Sequence, residues 1–300
     1  MEHEDERRGD AAAIIDEVRR HAEPRIMQAQ DGTSFLILPD SLTAESLKRF
    51  EDERRSHPER RRGTATLTTL QSFADHVSRF ADEHSAVFAN DDRSSPELLA
   101  VLDYHQRGAE GLPQFGEHRS LYRFPLSDEW KAWNALANKQ LDQATLANHL
   151  EDHLDDVLSP DSVGDTVREF AERHGIALAG PVRLQELARG LSVRVDRKVT
   201  NLQNPSTGEA RIHFEETHAG EDGGELKVPG GFALGIPVFR GGDLYQVPVR
   251  LRYRVSKGAI LWSTALHRTD RVFDHAFEQA CRLVEEATGL PIYQGRPERS

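Results

Sequence analysis

Three arginines recur at every second position in one segment of the chain. Arg250, Arg252 and Arg254 alternate with apolar residues, which are Val247, Val249, Leu251, Tyr253 and Val255. Because successive side chains of a strand point to opposite faces, this alternation predicts a half-buried β-strand that carries a row of guanidinium groups. Neighbours in such a row lie about 7 Å apart, close to the phosphate repeat of an extended nucleic-acid strand. The same row could pair with carboxylates of a neighbouring strand, so the pattern leaves both interpretations open.

Further basic residues are predicted on a neighbouring strand. The segment 191–199 is predicted to be a strand, which places Arg194 and Lys198 on one of its faces. If that face is shared with the arginine row, the sheet presents a basic patch. Two tyrosines stand near the row in sequence, Tyr245 and Tyr253. Cationic and aromatic side chains together are the mixture that binds the backbone and the bases of single-stranded nucleic acid.

The charge is unevenly distributed along the chain. The formal net charge of −12 argues against a protein that coats a nucleic-acid duplex. Residues 128–175 hold eleven acidic and four basic residues, whereas residues 236–271 hold seven basic and two acidic ones. The acidic excess includes one face of a predicted helix, formed by Glu151, Asp152, Asp155 and Asp156. This face is either solvated, or it docks against the arginine row and neutralises it.

A metal site is a weaker candidate. Asp103 and His105 alternate onto one face of a predicted strand, and His118 or His84 could approach them, which would supply ligands that zinc or manganese accepts. Their spacing matches no known metal motif, so a hydrogen-bonded structural Asp–His pair is the competing interpretation. His149 and His153 stand four residues apart, but the residues between them do not reproduce the His-Glu-x-x-His motif of zinc enzymes.

No other motif predicts a catalytic centre or a bound cofactor. The paired glycines Gly230-Gly231 and Gly241-Gly242 are not followed by Lys-Ser or Lys-Thr, so they predict hairpin turns rather than phosphate cradles. The single cysteine, Cys281, falls among apolar residues at helical spacing and predicts a buried thiol rather than a nucleophile. We therefore expect no cofactor and favour a protein without enzymatic activity.

The period of the apolar residues changes along the chain. Helical spacing with short strands predominates up to residue 180, and alternation predominates beyond Pro181. The segments 232–239, 244–255 and 259–266 are joined by glycine-containing turns, which predicts an antiparallel β-meander, and a C-terminal helix follows. The predicted class is α+β, with a mainly helical N-terminal half that contains short strands.

Three regions follow from this pattern. We expect a flexible arm and short helix over residues 1–24, an α-rich mixed region over 25–180, and the antiparallel sheet with its helix over 181–300. The last two regions could be separate or form one compact unit. The first residues lack the basic-then-apolar layout of a secretory signal, and no segment reads as a membrane span, so we expect a cytoplasmic protein with no membrane partner.

Several short segments of the sequence resemble those of a known family. The sequence over roughly residues 20–297 is similar to the uncharacterised phage and prophage protein family typified by YfdQ. The segments on which the resemblance rests are Asp103–His105, His118–Tyr122, Ser127–Trp133, Val249–Arg254 and Gly289–Ile292 with Gly295. Trp-x-x-Trp and Arg-x-Arg-x-Arg are the most distinctive of them. The resemblance implies a temperate-phage origin near replication and recombination genes, and it implies no catalytic residue.

These observations favour a phage accessory protein without catalytic activity. We expect it to bind single-stranded DNA or a recombination partner through Arg250, Arg252 and Arg254, with Arg194 and Lys198 in support. One alternative is a self-assembling structural protein that forms an oligomeric shell or scaffold. Another is a metal-dependent hydrolase that uses Asp103, His105 and His118.

Overall fold

The computed structural model describes most of the chain. The described residues are 12–19, 25–28, 34–38, 52–193, 198–203, 210–215, 225–256 and 259–298. The chain divides into two compact units, residues 1–61 and residues 62–300. The second unit therefore runs across the boundary predicted after residue 180.

The first unit contains a helix and a hairpin among its described residues. Residues 12–19 form a helix, α1, and residues 52–54 are helical and are labelled α2. Strand β1 (Arg25–Gln28) pairs antiparallel with strand β2 (Ser34–Ile37), as the hairpin signal around Asp31-Gly32 predicts. The turn itself and the helix predicted through Leu47 lie outside the described residues.

The second unit alternates strands and helices over its whole length. Its strands are β3 (Gly63–Leu67), β4 (Ala86–Asn90), β5 (Glu97–Val101), β6 (His118–Arg123), β7 (Leu178–Ala179), β8 (Lys198–Gln203), β9 (Ala210–Glu215), β10 (Glu225–Val228), β11 (Gly231–Pro237), β12 (Leu244–Ser256), β13 (Ala259–Leu266) and β14 (Ile292–Gln294). Its α-helices are α3 (Leu70–Phe80), α4 (Asp128–Leu136), α5 (Gln143–Asp152), α6 (Asp165–His174), α7 (Pro181–Val193) and α8 (Thr269–Thr288). The α+β class is confirmed.

Three sheets organise these strands. The first has the order β14-β4-β5-β6-β3, the second β13-β12-β11-β7, and the third β10-β9-β8. In the second sheet, β11, β12 and β13 form the predicted antiparallel meander, and the short strand β7 adds to β11 in parallel. In the first sheet, β14 and β3 are the edge strands, and each pairs in parallel with its neighbour.

The helices begin and end at residues whose chemistry explains the boundaries. Thr69 caps α3 and Ser127 caps α4, each accepting a hydrogen bond from a backbone N–H of the first turn. Gly175 ends α6 and Gly289 ends α8, both in the left-handed conformation that glycine adopts without strain. The apolar stripe predicted for α3 is buried at Phe73 and Val77.

The predicted organisation is matched only in part. The N-terminal region contains the predicted helices and short strands, but β3, β4, β5 and β6 belong to one five-stranded sheet, which the prediction did not include. The strand predicted over 191–199 is wrong at its start, since Leu191 to Val193 end helix α7. Leu184, Leu187 and Ala188 are buried at helical spacing, and α7 packs against α5. The helix therefore extends into residues that alternation alone assigns to a strand.

A cluster of phenylalanines joins the first two sheets under helix α8. Phe124 follows β6, and its ring centroid lies 4.7 Å from that of Phe239, which follows β11. Phe277 of α8 packs on Phe124 at 5.2 Å, and Phe273 packs on Phe239 at 5.5 Å. All four side chains are buried in one hydrophobic core. The two sheets consequently share a single core.

Truncation of Phe277 tests this shared core. We expect Phe277→Ala to lower the free energy of unfolding by about 3–5 kcal/mol, because the deletion leaves a cavity where both sheets meet the helix. Urea unfolding followed by circular dichroism measures the change. Phe115→Ala removes the same ring from a side chain that is 65% exposed, and it should cost less than about 0.5 kcal/mol. Similar losses for both variants would contradict the shared core.

The buried thiol of Cys281 allows a second test. Burial, followed by the nearby charges of Glu278 and Glu285, raises the pKa of Cys281 to about 12. Since the thiolate is the reactive form, we expect the folded protein to react with a disulfide reagent at neutral pH far more slowly than the urea-unfolded chain. Absorbance of the released thiolate follows the reaction, and Cys281→Ser gives the blank. Equal rates in both states would show that the thiol is accessible.

Candidate nucleic-acid interface

The arginine row lies on the outer face of the second sheet. Along β12, Val247 and Val249 are fully buried, whereas Arg252 and Arg254 are exposed and Arg250 is partly exposed. The half-buried strand that alternation predicts is therefore confirmed. Neighbouring arginines of the row are two residues apart, so they lie about 7 Å apart along the strand.

The residues that face the arginines across the sheet carry no charge. On β13, Ala265 stands opposite Arg250, Ser263 opposite Arg252 and Leu261 opposite Arg254. On the other side, β11 begins at Gly231, which pairs with Arg250, so its strand does not continue along the other two arginines. Among the residues whose side chains the structure describes, no carboxylate lies within ion-pair distance of any of the three guanidinium groups. Within this part of the chain, the row is a positive strip on the outer face without a neutralising partner.

The acidic helix face does not dock against this row in the part of the chain that the structure describes. Asp156 instead accepts a hydrogen bond from the indole Nε1 of Trp133 at 2.7 Å and lies 3.3 Å from the Nδ1 of His153. Glu151 is exposed on the outer side of α5. The interpretation in which the two charged regions neutralise each other has no support in the described contacts.

The structure does not show the two predicted supporting residues beside the arginine row. Arg194 lies outside the described residues. Lys198 begins β8, which belongs to the three-stranded sheet, whereas β12 belongs to the four-stranded sheet. The condition that both strands share one face of a single sheet is therefore not met by β8. Alternation reports which side of its own strand a residue occupies, and it carries no information on which strands pair.

The two tyrosines lie on the opposite side of β12 from the arginines. Tyr253 packs on Trp262 with ring centroids 5.4 Å apart, and both side chains belong to the core. Tyr245 donates a hydrogen bond to the Oε1 of Gln279 at 2.9 Å. Neither ring is placed to stack on a base above the arginine row. The face offers charge for a phosphate backbone rather than aromatic platforms.

One end of the outer face is covered by helix α6. The Oε1 of Gln246 accepts a hydrogen bond from the backbone N–H of Gly164 at 2.7 Å, which ties β12 to the start of that helix. Phe170 of α6 contacts the rings of His174 and His267 at 4.7 and 4.6 Å. Burial, assisted by the charge of Arg268, lowers the pKa of His267. Sequence reasoning did not single out His267, because no motif accompanies it.

The three residues of the predicted metal site do not form one. Both carboxylate oxygens of Asp103 accept backbone hydrogen bonds, from the N–H of Glu117 at 3.1 Å and of His118 at 2.9 Å. The Nδ1 of His105 accepts a hydrogen bond from the N–H of Gln114 at 3.0 Å. Within the described ranges, no group of three or more potential ligands is arranged to hold a metal ion. Asp103 fixes the loop before β6 through backbone N–H groups, and the described contacts do not include a side-chain hydrogen bond between Asp103 and a histidine.

A half-buried histidine cluster lies beside Trp133. The rings of Trp133 and His149 are 4.5 Å apart, and His153 stands 4.5 Å from His149. The Nε2 of His149 is buried and has no hydrogen-bond partner among the described residues. Burial, followed by the repulsion of His153, lowers the pKa of His149 from 6.5 to about 4. The imidazole is therefore neutral in the folded protein at neutral pH.

This shifted pKa predicts an acid-sensitive fold. Between pH 6.5 and about 4 the unfolded chain binds a proton at His149 that the folded protein does not. The free energy of unfolding should consequently be highest above pH 6.5 and fall as the pH drops toward 4. His149→Gln should flatten part of this slope in urea unfolding measured across that range, whereas His57→Gln, at an exposed position, should not. A slope unchanged by His149→Gln would contradict the assignment.

Fold and surface together define an α+β protein with an exposed basic strand face. A family model described as an uncharacterized conserved protein, DUF2303, matches residues 8–297. The chain belongs to this DUF2303 family. Neither a curated protein nor a solved structure matches the chain. None of the described helices is long and apolar enough to cross a membrane.

Proposed function

We propose that this protein binds the phosphate backbone of single-stranded DNA through Arg250, Arg252 and Arg254. The observation that carries the proposal is the row of guanidinium groups on the outer face of β12, which no described carboxylate neutralises. Guanidinium groups form bidentate hydrogen bonds with phosphate, and the strand sets them at the spacing of an extended single strand. Binding is independent of base sequence, because no aromatic ring of β12 lies on this face.

The acidic remainder of the protein restricts where DNA binds. With a net charge of −12, the surface as a whole repels phosphate, so the strip is the favoured point of contact. Three contacts support only modest affinity. Release of counterions from three phosphates of a single strand corresponds to a slope of about −2 in a plot of log affinity against log salt concentration. Such a protein acts on exposed single strands rather than coating a duplex.

The resemblance to phage and prophage proteins supplies the biological setting for this proposal. We place the protein as a non-catalytic accessory of phage replication or recombination, where single-stranded DNA is exposed. A recombination protein that has an acidic surface would bind to the same row of arginines. Membership of the DUF2303 family gives no information on this biological setting, because the family is described only as uncharacterised.

Removal of the two exposed arginines tests the proposal. A fluorescently labelled oligonucleotide with mixed sequence should bind at low salt, with fluorescence anisotropy as the measurement. Arg252→Ala combined with Arg254→Ala should weaken binding at least about tenfold and reduce the magnitude of the salt slope from about 2 to about 0.7, because two phosphate contacts are lost.

A charge-matched variant provides the control. Arg271→Ala combined with Arg282→Ala removes two exposed arginines from helix α8 and should leave the salt slope unchanged. Equal weakening in both variants would indicate a general charge effect and reject the strip as the site. Absence of binding by the unaltered protein at low salt would reject DNA binding. Light scattering without DNA, measured alongside, tests the alternative of a self-assembling protein, which predicts a particle far larger than 33.8 kDa.

A further inference from the structure

A cavity opens between the start of α3, the end of β6, the turn from β11 to β12, and α8. Its volume is about 560 Å³, within the range of small-molecule sites. Tyr122, Phe124 and Phe239 line it with aromatic surface, and Ala280 lines it from α8. Leu283, which is 54% exposed, also belongs to its lining and places one wall at the surface. The cavity lies away from the arginine row, whose side chains are not part of its lining.

The hydroxyl of Tyr122 is a hydrogen-bonding group without a partner in this cavity. The side chain is only 5% exposed, packed between Phe73 and Phe124 at ring-centroid distances of 6.4 and 4.8 Å. Among the described residues, nothing accepts from or donates to its Oη. Burial raises the pKa of Tyr122, so the phenol stays protonated and can donate. A polar ligand atom in the cavity would accept a hydrogen bond from this hydroxyl.

The start of helix α3 contributes positive potential to the lining of the cavity. Thr69, Leu70 and Gln71 line it, and they form the N-terminal cap and first turn of the 11-residue helix α3. The cap satisfies the N–H of Ser72, while the N–H groups of Leu70 and Gln71 have no acceptor among the described residues. The first turn contains no acidic residue that would neutralise this end of the helix. Arg240 also lines the cavity, and its guanidinium is already paired with the carboxylate of Asp128 at 3.4 Å.

The part of the lining that comes from the β11–β12 turn and α8 carries a fixed acceptor. Tyr245 donates to Gln279, and the Nε2 of Gln279 donates to the Oδ2 of Asp243 at 3.0 Å. This chain of hydrogen bonds holds Asp243 beside the turn between β11 and β12. Its carboxylate repels a ligand anion at that side. An anionic group is therefore directed toward Tyr122 and α3, and the apolar part of a ligand meets the aromatic floor.

We infer that this cavity binds a small aromatic carboxylate. The carboxylate accepts hydrogen bonds from the Oη of Tyr122 and the free N–H groups at the start of α3, and the ring packs against Phe124 and Phe239. Each part of the site meets a part of such a ligand: the aromatic floor meets the ring, and the Tyr122 hydroxyl and the helix terminus meet the carboxylate. The inference stands independently of the proposed binding of DNA, because it uses none of the arginines in β12.

Ligand-observed saturation-transfer NMR on the full-length protein tests the site. The probes are phenylacetate, 3-phenylpropionate and indole-3-acetate at millimolar concentration, each paired with its neutral primary amide. We expect the carboxylates to bind more tightly than the amides. Tyr122→Phe removes only the hydroxyl and should weaken carboxylate binding about tenfold, the loss of one charge-assisted hydrogen bond.

Two further variants separate the site from general effects. Tyr104→Phe removes a hydroxyl that already bonds to Glu298, outside the cavity, and should leave binding unchanged. Ala280→Leu fills the cavity from α8 and should abolish binding, with circular dichroism confirming the fold. Equal binding of acids and amides would overturn the assignment of a carboxylate site. No binding by any probe, or binding unaffected by Tyr122→Phe, would overturn the site itself.

Discussion

The contact among Phe124, Phe239, Phe273 and Phe277 is the constraint on which the rest of the structure depends. It brings the ends of β6 and β11 together beneath α8, and the backbone adds hydrogen bonds there, with the N–H of Ser127 donating to Val238 and that of Arg240 to Pro125. Both sheets obtain one core in this way, although they come from distant parts of the chain. The C-terminal strand β14 then returns to the first sheet beside β4, which further couples the two halves. Apolar burial at this junction positions the outer face of β12 and the walls of the cavity alike.

Placement of the sheet explains why the arginine row stays charged and accessible. The inner face of β12 belongs to the core, so every alternate residue must be apolar and the remaining residues must face outward. Helix α6 covers the outer face near Gln246, where the strand carries no charge, and the arginines follow farther along. Small or uncharged residues of β13 stand opposite them, which avoids internal ion pairs. Surface charge is therefore concentrated by the fold rather than by overall composition, which is acidic.

Sequence reasoning succeeded where the physical signal is local. The alternation from Val247 to Tyr253 predicted both the strand and its arginine face, and the spacing of Phe73 and Val77 predicted helix α3. It failed where the outcome depends on pairing between distant segments. Lys198 was assigned to the arginine face although β8 joins another sheet, and Asp103 was offered as a ligand although backbone N–H groups occupy its carboxylate. The same alternation had already placed Tyr253 on the core side, since its position has the parity of Val249. No sequence signal marks the cavity, because its lining comes from several separate elements.

The sequence by itself determined the α+β class, the meander, most of the helices in residues 62–300 and the side of β12 on which the arginines lie. These features follow from periods of two and 3.6 residues and from capping side chains, all of which act over short distances. Only the tertiary structure decided that one core unites both halves, that β3 and β14 complete a five-stranded sheet, and that the arginines meet no carboxylate of the described chain. Tertiary structure also left the hydroxyl of Tyr122 facing a cavity. Parallel pairing and side-chain contact depend on which distant surfaces bury each other, and no local pattern encodes that choice.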